Sequence, residues 1–378
     1  MNNLEIIIIC LSIIFYIIPT TISILNLLFF NSNDYNKYEK FENMVSVLIP
    51  ARNEEKNIEK CVDSVVNQGE IVSEIIIYDD HSTDKTKDII KFLTKKYESL
   101  VKQAKTKNLP KGWLGKNYAC HNLSTEAKSQ NILFIDADTT LKDNAVSKIV
   151  SISLKNKITM ISAWPKIKME SRTEKILMPV LNLIVFTLFP YIISTKFMTS
   201  SLGLAHGACI FFNKKKYIKY GGHKLVKNNF FEDTSLAKKW RDFGENSQII
   251  NGEKIIEVRM YESLKEIIDG FTKNFYPALG NLFRFTIFQT YFALSYIIFP
   301  ILVFIYSYQD KIDVLFLSVI ILSILPRIII NIKFKYQILS LILNPFSILI
   351  MLFIGYKSFY QSVIKKNITW KKRIYNFD

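Results

Sequence analysis

Two carboxylates stand two residues apart in Asp136-Ala137-Asp138, directly after the apolar run Ile132 to Ile135. In an extended backbone both side chains leave the same face, so they can converge on one ligand. Hard oxygen donors of this kind suit Mg2+ or Mn2+, which bind through one or two carboxylates and are completed by substrate phosphates. A helix cap with one solvated neighbour explains such a pair equally well when it stands alone. A second acidic pair, Glu232-Asp233, opens the polar stretch TSLAKKWRDF. A carboxylate there could take a proton from an attacking group, or it could cap a helix and meet its dipole. Two further clusters, Arg52 to Glu55 and Asp79-Asp80, each follow a β-branched run. Asp and Asn are also common turn formers, and Thr83 or Asp84 is suited to capping the next helix.

The segments that must position these groups alternate in type. VSVLI, from residue 45, is followed by ARNEEKNIEKCVDSVVNQ, and EIIIYDD by HSTDKTKDIIKFLTKKY. NILFIDAD then leads to a helix from about Lys142 to Leu154 and on to ITMISA. Strand and helix in turn predict an α/β fold with a doubly wound, mainly parallel sheet. Ligands of such sheets gather at the carboxyl ends of the strands. Three of those ends carry the polar clusters named above.

The rest of the chain is far more apolar. Residues 4–30 hold only Glu5 as a charge and are broken only by Pro19, enough to cross a bilayer core of about 30 Å. The segment lacks the basic start and small-residue cleavage site of a signal peptide, so a transmembrane anchor over 1–32 is expected. Residues 285–306, 312–332 and 338–356 are again apolar over the needed length. Lys37, Lys40 and Arg52 follow the first segment, which places the next domain, over 43–283, on the cytosolic side. Residues 176–194 carry no charge, yet one crossing there would put Asp138 and Asp233 on opposite membrane faces. With Pro179 and Pro190 the stretch 176–195 is expected to be an interfacial, interrupted element. Residues 263–283, with Leu264, Ile267, Ile268 and Phe271 in helical register, could lie at the interface or pack on the sheet. Three crossings over 284–357 would leave the basic tail, 358–378, outside, against the positive-inside tendency; a re-entrant break at Asn344-Pro345 would return it. The net charge of +16 is spread along the chain without a nucleic-acid module, so nucleic acid is not an expected partner. Cys10, Cys61, Cys120 and Cys209 form no CxxC pair, as suits a reducing compartment.

In order, VSVLIPARNEE, DDHSTD, GWLGKNYAC, DAD, GGH, FFEDTSLA and RMY resemble the family 2 glycosyltransferases of GT-A fold over about residues 45–275. GWLGK before DAD and RMY followed by GFTKN look like the membrane branch that acts on carotenoid and hopanoid-type lipids. The tail ITWKKRIY is similar too, with Lys372 where that branch has Gly. The resemblance implies an inverting hexosyltransferase of the cell membrane. It would use a UDP-sugar, UDP-glucose by analogy, Mg2+ or Mn2+, and a lipid acceptor such as a carotenoid acid, with a hopanoid, glycerolipid or polyprenyl phosphate as the alternative acceptors. It assigns Glu54, Asp79 and Asp80 to the uridine, Asp138 to the metal, Asp136 to the sugar or ribose, and Lys116 and Arg259 to the diphosphate. Asp233 becomes the catalytic base, with Trp113, His223 and Glu232 toward the acceptor. A nucleotidylyltransferase would show a Gly-rich GxGTR-type turn after the first strand, where this chain has Pro50-Ala51-Arg52-Asn53-Glu54. A transporter would need intramembrane charges, and the apolar spans hold little beyond Arg327.

Overall fold

The computed structural model describes residues 3–30, 38–39, 41–309, 314–371 and 373–376. Lys37, Lys40 and Lys372, and the start of the apolar run at 312–313, lie outside the described residues. The chain divides into two compact units: Ser32–Lys168 with Ile193–Met260, and Met1–Asn31 with Met169–Ile192 and Tyr261–Asp378.

The first unit is built on a sheet of eight strands. They are β1 (Val45–Ala51), β2 (Val72–Asp79), β3 (Val101–Gln103), β4 (Asn131–Ile135), β5 (Thr139–Leu141), β6 (Met160–Ile167), β7 (Cys209–Asn213) and β8 (Ser247–Val258). Their order is β3-β2-β1-β4-β7-β6-β8-β5. β1, β2 and β4 are buried along almost their whole length, as continuous Val/Ile/Leu runs covered on both faces require. Val47, Ile49, Ile75 and Ile77 face one core, with the helices Ile58–Val66, Thr86–Lys96 and Ala145–Asn156. Leu48, Ile76, Phe134 and Phe212 face the other, with the helices Gly115–Glu126 and Glu232–Asp242.

β3, β2, β1 and β4 run parallel, so the alternating pattern is read correctly in the first half. The second half is mixed, with β7 antiparallel to β4 and β6, and β5 antiparallel to β8. The strand-helix alternation ends at β6. After Lys168 the chain leaves this unit and re-enters it at Ile193, so β7 is not delivered by a right-handed crossover helix. It starts where β4 ends, with the Asp136 N–H donating to the Ala208 carbonyl at 3.1 Å, and runs back along β4.

The second unit is helical apart from a hairpin of β9 (Asn367–Trp370) and β10 (Arg373–Asn376). Among the described residues, Leu282–Ile305 (24 residues) and Asn344–Ile364 (21 residues) are helices long and apolar enough to cross a membrane. Asn3–Phe29 forms one helix through Pro19. The stretch 176–194 divides at Met178 and again at Phe189; its central helix Pro179–Leu188 has ten residues, a rise of about 15 Å. Asn26 secures the end of that helix: its amide donates to the carbonyls of Phe186 (2.9 Å) and Phe189 (2.8 Å) and accepts the Tyr191 N–H at 3.0 Å. The last apolar segment breaks at Leu343, between Ile338–Ile342 and Asn344–Phe359, with Pro345 in the first turn of the latter. Of the stripe expected over 263–283, Ile267 is buried and Leu264 is 45% exposed.

One close approach in the sheet fixes the rim of the site described below. Pro165 pairs with Gly252, and the register then jumps so that Lys166 pairs with Glu257. A Cβ on Gly252 would lie 2.5 Å from the Trp164 carbonyl oxygen, a backbone atom that cannot swing aside. Gly252→Ala is therefore expected to cost about 1–3 kcal/mol through overpacking. Thermal melting of the purified chain checks this; an unchanged transition would show that β8 yields freely at the bulge.

Candidate active site

The carboxyl ends of β1 and β2 are laced into one lip. Ala51 pairs with Asp79, and the Arg52 guanidinium donates to the carbonyls of Asp80 (2.5 Å) and His81 (3.0 Å). The N–H of Asn53 donates to Ser82 Oγ at 3.0 Å, and that of Glu54 to Thr86 Oγ1 at 2.7 Å. In the other direction Thr83 N–H reaches Asn53 Oδ1 at 2.8 Å, and Lys85 N–H reaches Glu55 Oε2 at 3.0 Å. Asp79 accepts the Ser82 N–H at 3.1 Å, and both Asp79 and Asp80 are buried. Asp84 accepts both the N–H (3.0 Å) and the hydroxyl (2.6 Å) of Thr86, the first residue of the helix Thr86–Lys96.

Next to this lip, Asp136 leaves the end of β4. Lys116, on the first turn of the helix Gly115–Glu126, reaches across to it: Nζ lies 2.7 Å from Asp136 Oδ1 and 3.0 Å from Glu232 Oε1. Glu232 and Asp233 open the helix Glu232–Asp242, and Asp233 Oδ1 accepts the Thr234 N–H at 2.6 Å. Burial works against the Lys116 charge, yet Asp136 and Glu232 hold its ammonium well above the ordinary lysine value. Asp233 moves the other way. Burial and the neighbouring Glu232 push its carboxyl up to about 7, against the pull of the Thr234 N–H and Lys116.

Asp138 belongs to the same cleft. The Cys61 thiol, 3.6 Å from the Asp136 carbonyl, is pushed up by burial and then by the charges of Asp138, Glu54 and Asp136. The charges of all three acids act on this one buried thiol. Thr139, next to Asp138, pairs with Val258 in antiparallel register, so Arg259 follows opposite Asp138.

Thus Asp136, Lys116, Glu232 and Asp233 form a charged cluster, Asp138 follows two residues after Asp136, and Glu54, Asp79 and Asp80 stand at the ends of the neighbouring strands. Trp113 lies three residues before Lys116, its ring 5.2 Å from that of His121 and 5.4 Å from that of Tyr118. His223 is placed differently from expectation. It is 2% exposed, its Nδ1 lies 2.6 Å from the Tyr217 hydroxyl, and its ring packs on Phe134. Burial lowers it to about 3, so the ring is neutral where it packs against Phe134 and meets the Tyr217 hydroxyl.

Two residues not singled out from the sequence border the cluster. A methyl on Gly207 would lie 3.0 Å from Lys116 Nζ, 3.4 Å from Asp233 Oδ2 and 3.6 Å from Asp136 Oδ2. His206 precedes it, lowered to about 4 by burial, with Asp136, Lys116 and Glu232 acting on its ring. In AHGACIFF nothing but position before a strand marks the pair.

Among the described residues, no three or more His, Cys, Asp or Glu side chains close a protein-only metal cage. The donors at the DxD edge are carboxylate oxygens. They fit a hard divalent cation that takes its other ligands from a bound diphosphate, and the thiol beneath them stays protonated.

The chain is 29% identical over 232 residues to the 4,4'-diaponeurosporenoate glycosyltransferase of Staphylococcus haemolyticus (strain JCSC1435), across 61% of this chain and 60% of that protein. It is 27% identical over 244 residues to the protein of the same name from Staphylococcus aureus (strain MRSA252), across 63% and 62% respectively. The match thus spans less than two thirds of these relatives' length. A mannosyltransferase from Pyrobaculum calidifontis, solved with GDP-mannose and Mn2+, superposes with a TM-score of 0.54 at 13% identity. It covers 89% of this chain and 98% of its own, a likeness of fold. Residues 46–221 match the description glycosyl transferase family 2. The sheet is that of a GT-A fold, and residues 46–221, which carry the acids at its edge, are similar to glycosyl transferase family 2.

Proposed function

We propose that the chain transfers a sugar, glucose from UDP-glucose, to a membrane lipid, a carotenoid acid, using Mg2+ or Mn2+. The observation that carries this is the cluster in which Lys116 bridges Asp136 and Glu232 with Asp233 beside them. The relatives' name supplies the acceptor, and the Mn2+ and GDP-mannose of the mannosyltransferase support a cation and a nucleotide-sugar. Two apolar helices of spanning length support residence at the membrane, and the Lys and Arg residues that follow the first apolar segment are the ground for reading the sheet unit as cytosolic.

In this reading Glu54, Asp79 and Asp80 hold the uridine, and Asp136 the sugar or ribose. Lys116 and Arg259 face the diphosphate, where a fixed guanidinium suits bidentate phosphate binding. Asp138 holds the cation, which supplies neutralisation of the leaving diphosphate when bound. An acceptor oxygen attacks the anomeric carbon as the bond to the diphosphate breaks, and the electron pair leaves with UDP. Attack opposite the leaving group inverts the centre. A hydroxyl acceptor would give its proton to Asp233, whose value near 7 suits a general base. A carotenoid carboxylate is already ionised at neutral pH, and Asp233, still partly protonated there, orients it by hydrogen bonding.

The purified chain should turn over UDP-glucose only with Mn2+ or Mg2+, and Asp138→Asn should abolish turnover, as followed by UDP release. Full activity in excess chelator would contradict the assignment of Asp138. The Asp233 carboxyl also leaves a mark on stability. Its folded value of about 7 exceeds the ordinary 3.8, so the folded state binds the proton more tightly. Stability from this group is complete below the ordinary value, is lost as pH rises through that window, and stays lost above about 7. Asp233→Asn, neutral throughout, is therefore expected to melt higher than the parent at pH 8, with the gap closing toward pH 4. A gap of equal size at both pH values would mean that the carboxyl is not raised.

A further inference from the structure

The turn His206-Gly207-Ala208 is held rigidly against the DxD strand end. The His206 N–H donates to Ser162 Oγ at 2.8 Å, and that hydroxyl donates back to the His206 carbonyl at 3.1 Å. The Ala208 carbonyl accepts the Asp136 N–H at 3.1 Å. The imidazole is fixed as well, edge-on to Trp164 with ring centroids 5.1 Å apart. Its Nδ1 accepts the Ala208 N–H at 3.2 Å, and because a backbone N–H can only donate, Nδ1 carries a lone pair. The ring proton then sits on Nε2. That nitrogen can donate a hydrogen bond, and neither ring atom is free to act as a base.

Gly207 shows what lies beside this donor. Its missing side chain leaves space bounded by Lys116, Asp233 and Asp136, the groups read above as meeting diphosphate, acceptor and sugar. A glycine is suited to a place where backbone must approach a ligand closely. His206 directly precedes Gly207 in this turn, and the charges of Asp136, Lys116 and Glu232 act on its ring.

We infer that His206 and Gly207 form the wall of the subsite for the transferred sugar, with His206 Nε2–H donating to a sugar hydroxyl and Gly207 leaving room for the ring. This rests on the sugar-transfer reading and adds the residue pair that discriminates the sugar. A neutral imidazole N–H can donate to a sugar hydroxyl, which brings no charge of its own to be paired.

The test compares UDP with UDP-glucose, each titrated by calorimetry into the full chain in detergent with Mn2+ and no acceptor. The quantity read is the ratio of the two Kd values, the sugar's own share of binding. His206→Ala should leave the Kd for UDP within about twofold and shrink the ratio by about tenfold, the loss of one hydrogen bond. His206→Gln, which keeps an amide N–H, should restore most of it. Gly207→Ala should weaken UDP-glucose while sparing UDP. An unchanged ratio in His206→Ala, or equal losses for UDP and UDP-glucose in all three variants, would overturn the inference and leave the sugar-transfer reading standing. Failure of the parent chain to bind UDP would sink that reading itself.

Discussion

The ammonium of Lys116, set between Asp136 and Glu232, makes the rest of the cleft tolerable. Asp136, after the end of β4, and Glu232 and Asp233, at the start of one helix, are turned toward one space, with Asp138 two residues beyond Asp136. Like charges so placed repel, and burial raises the cost of each. Lysine pairing stabilises two of them, Asp233 responds by keeping its proton to a higher pH, and the Cys61 thiol below stays neutral. A site of this composition invites positive charge, and a nucleotide diphosphate with its cation brings both a cation and a need for donors.

The sheet explains how residues so far apart in sequence reach that space. Parallel β1, β2 and β4 deliver Glu54, Asp79, Asp80, Asp136 and Asp138 to one edge, as alternating strands and helices do in any doubly wound sheet. The returning β7 brings the His206 turn against β4, and the bulged β8 brings Arg259 opposite Asp138. Two helix starts complete the arrangement, since Lys116 and Glu232 both sit on first turns. Asp233 there gains from the helix dipole even as burial penalises it.

The strand-end acids were legible because each follows an apolar run whose length and β-branching mark a buried strand. Asp233 was legible only through the family motif, since an acid at a helix start reads equally as a cap. Lys116 could be named by motif, but not its contact with Glu232, which depends on two helices meeting in space. Gly207 and His206 left no signal: AHGA has no periodicity, and its role comes from what stands opposite. His223 reads in the text as an acceptor contact or as a merely hydrogen-bonded residue, and which neighbours enclose it, Tyr217 and Phe134, depends on the folded chain. The antiparallel half of the sheet was hidden for a similar reason, as the apolar stretch that interrupts the alternation belongs to another unit.

The proposed transfer, with Lys116 at the centre of the cleft, would leave a glycosylated lipid in the cells that carry the chain. Mass spectrometry of lipid extracts from cells lacking the chain, cells carrying it and cells carrying Lys116→Met tests this most directly. A lipid species heavier by one hexose should appear with the parent chain alone. The same species in equal amount with Lys116→Met would contradict the role given to the lysine, and its absence with the parent chain would contradict transfer of sugar to a lipid.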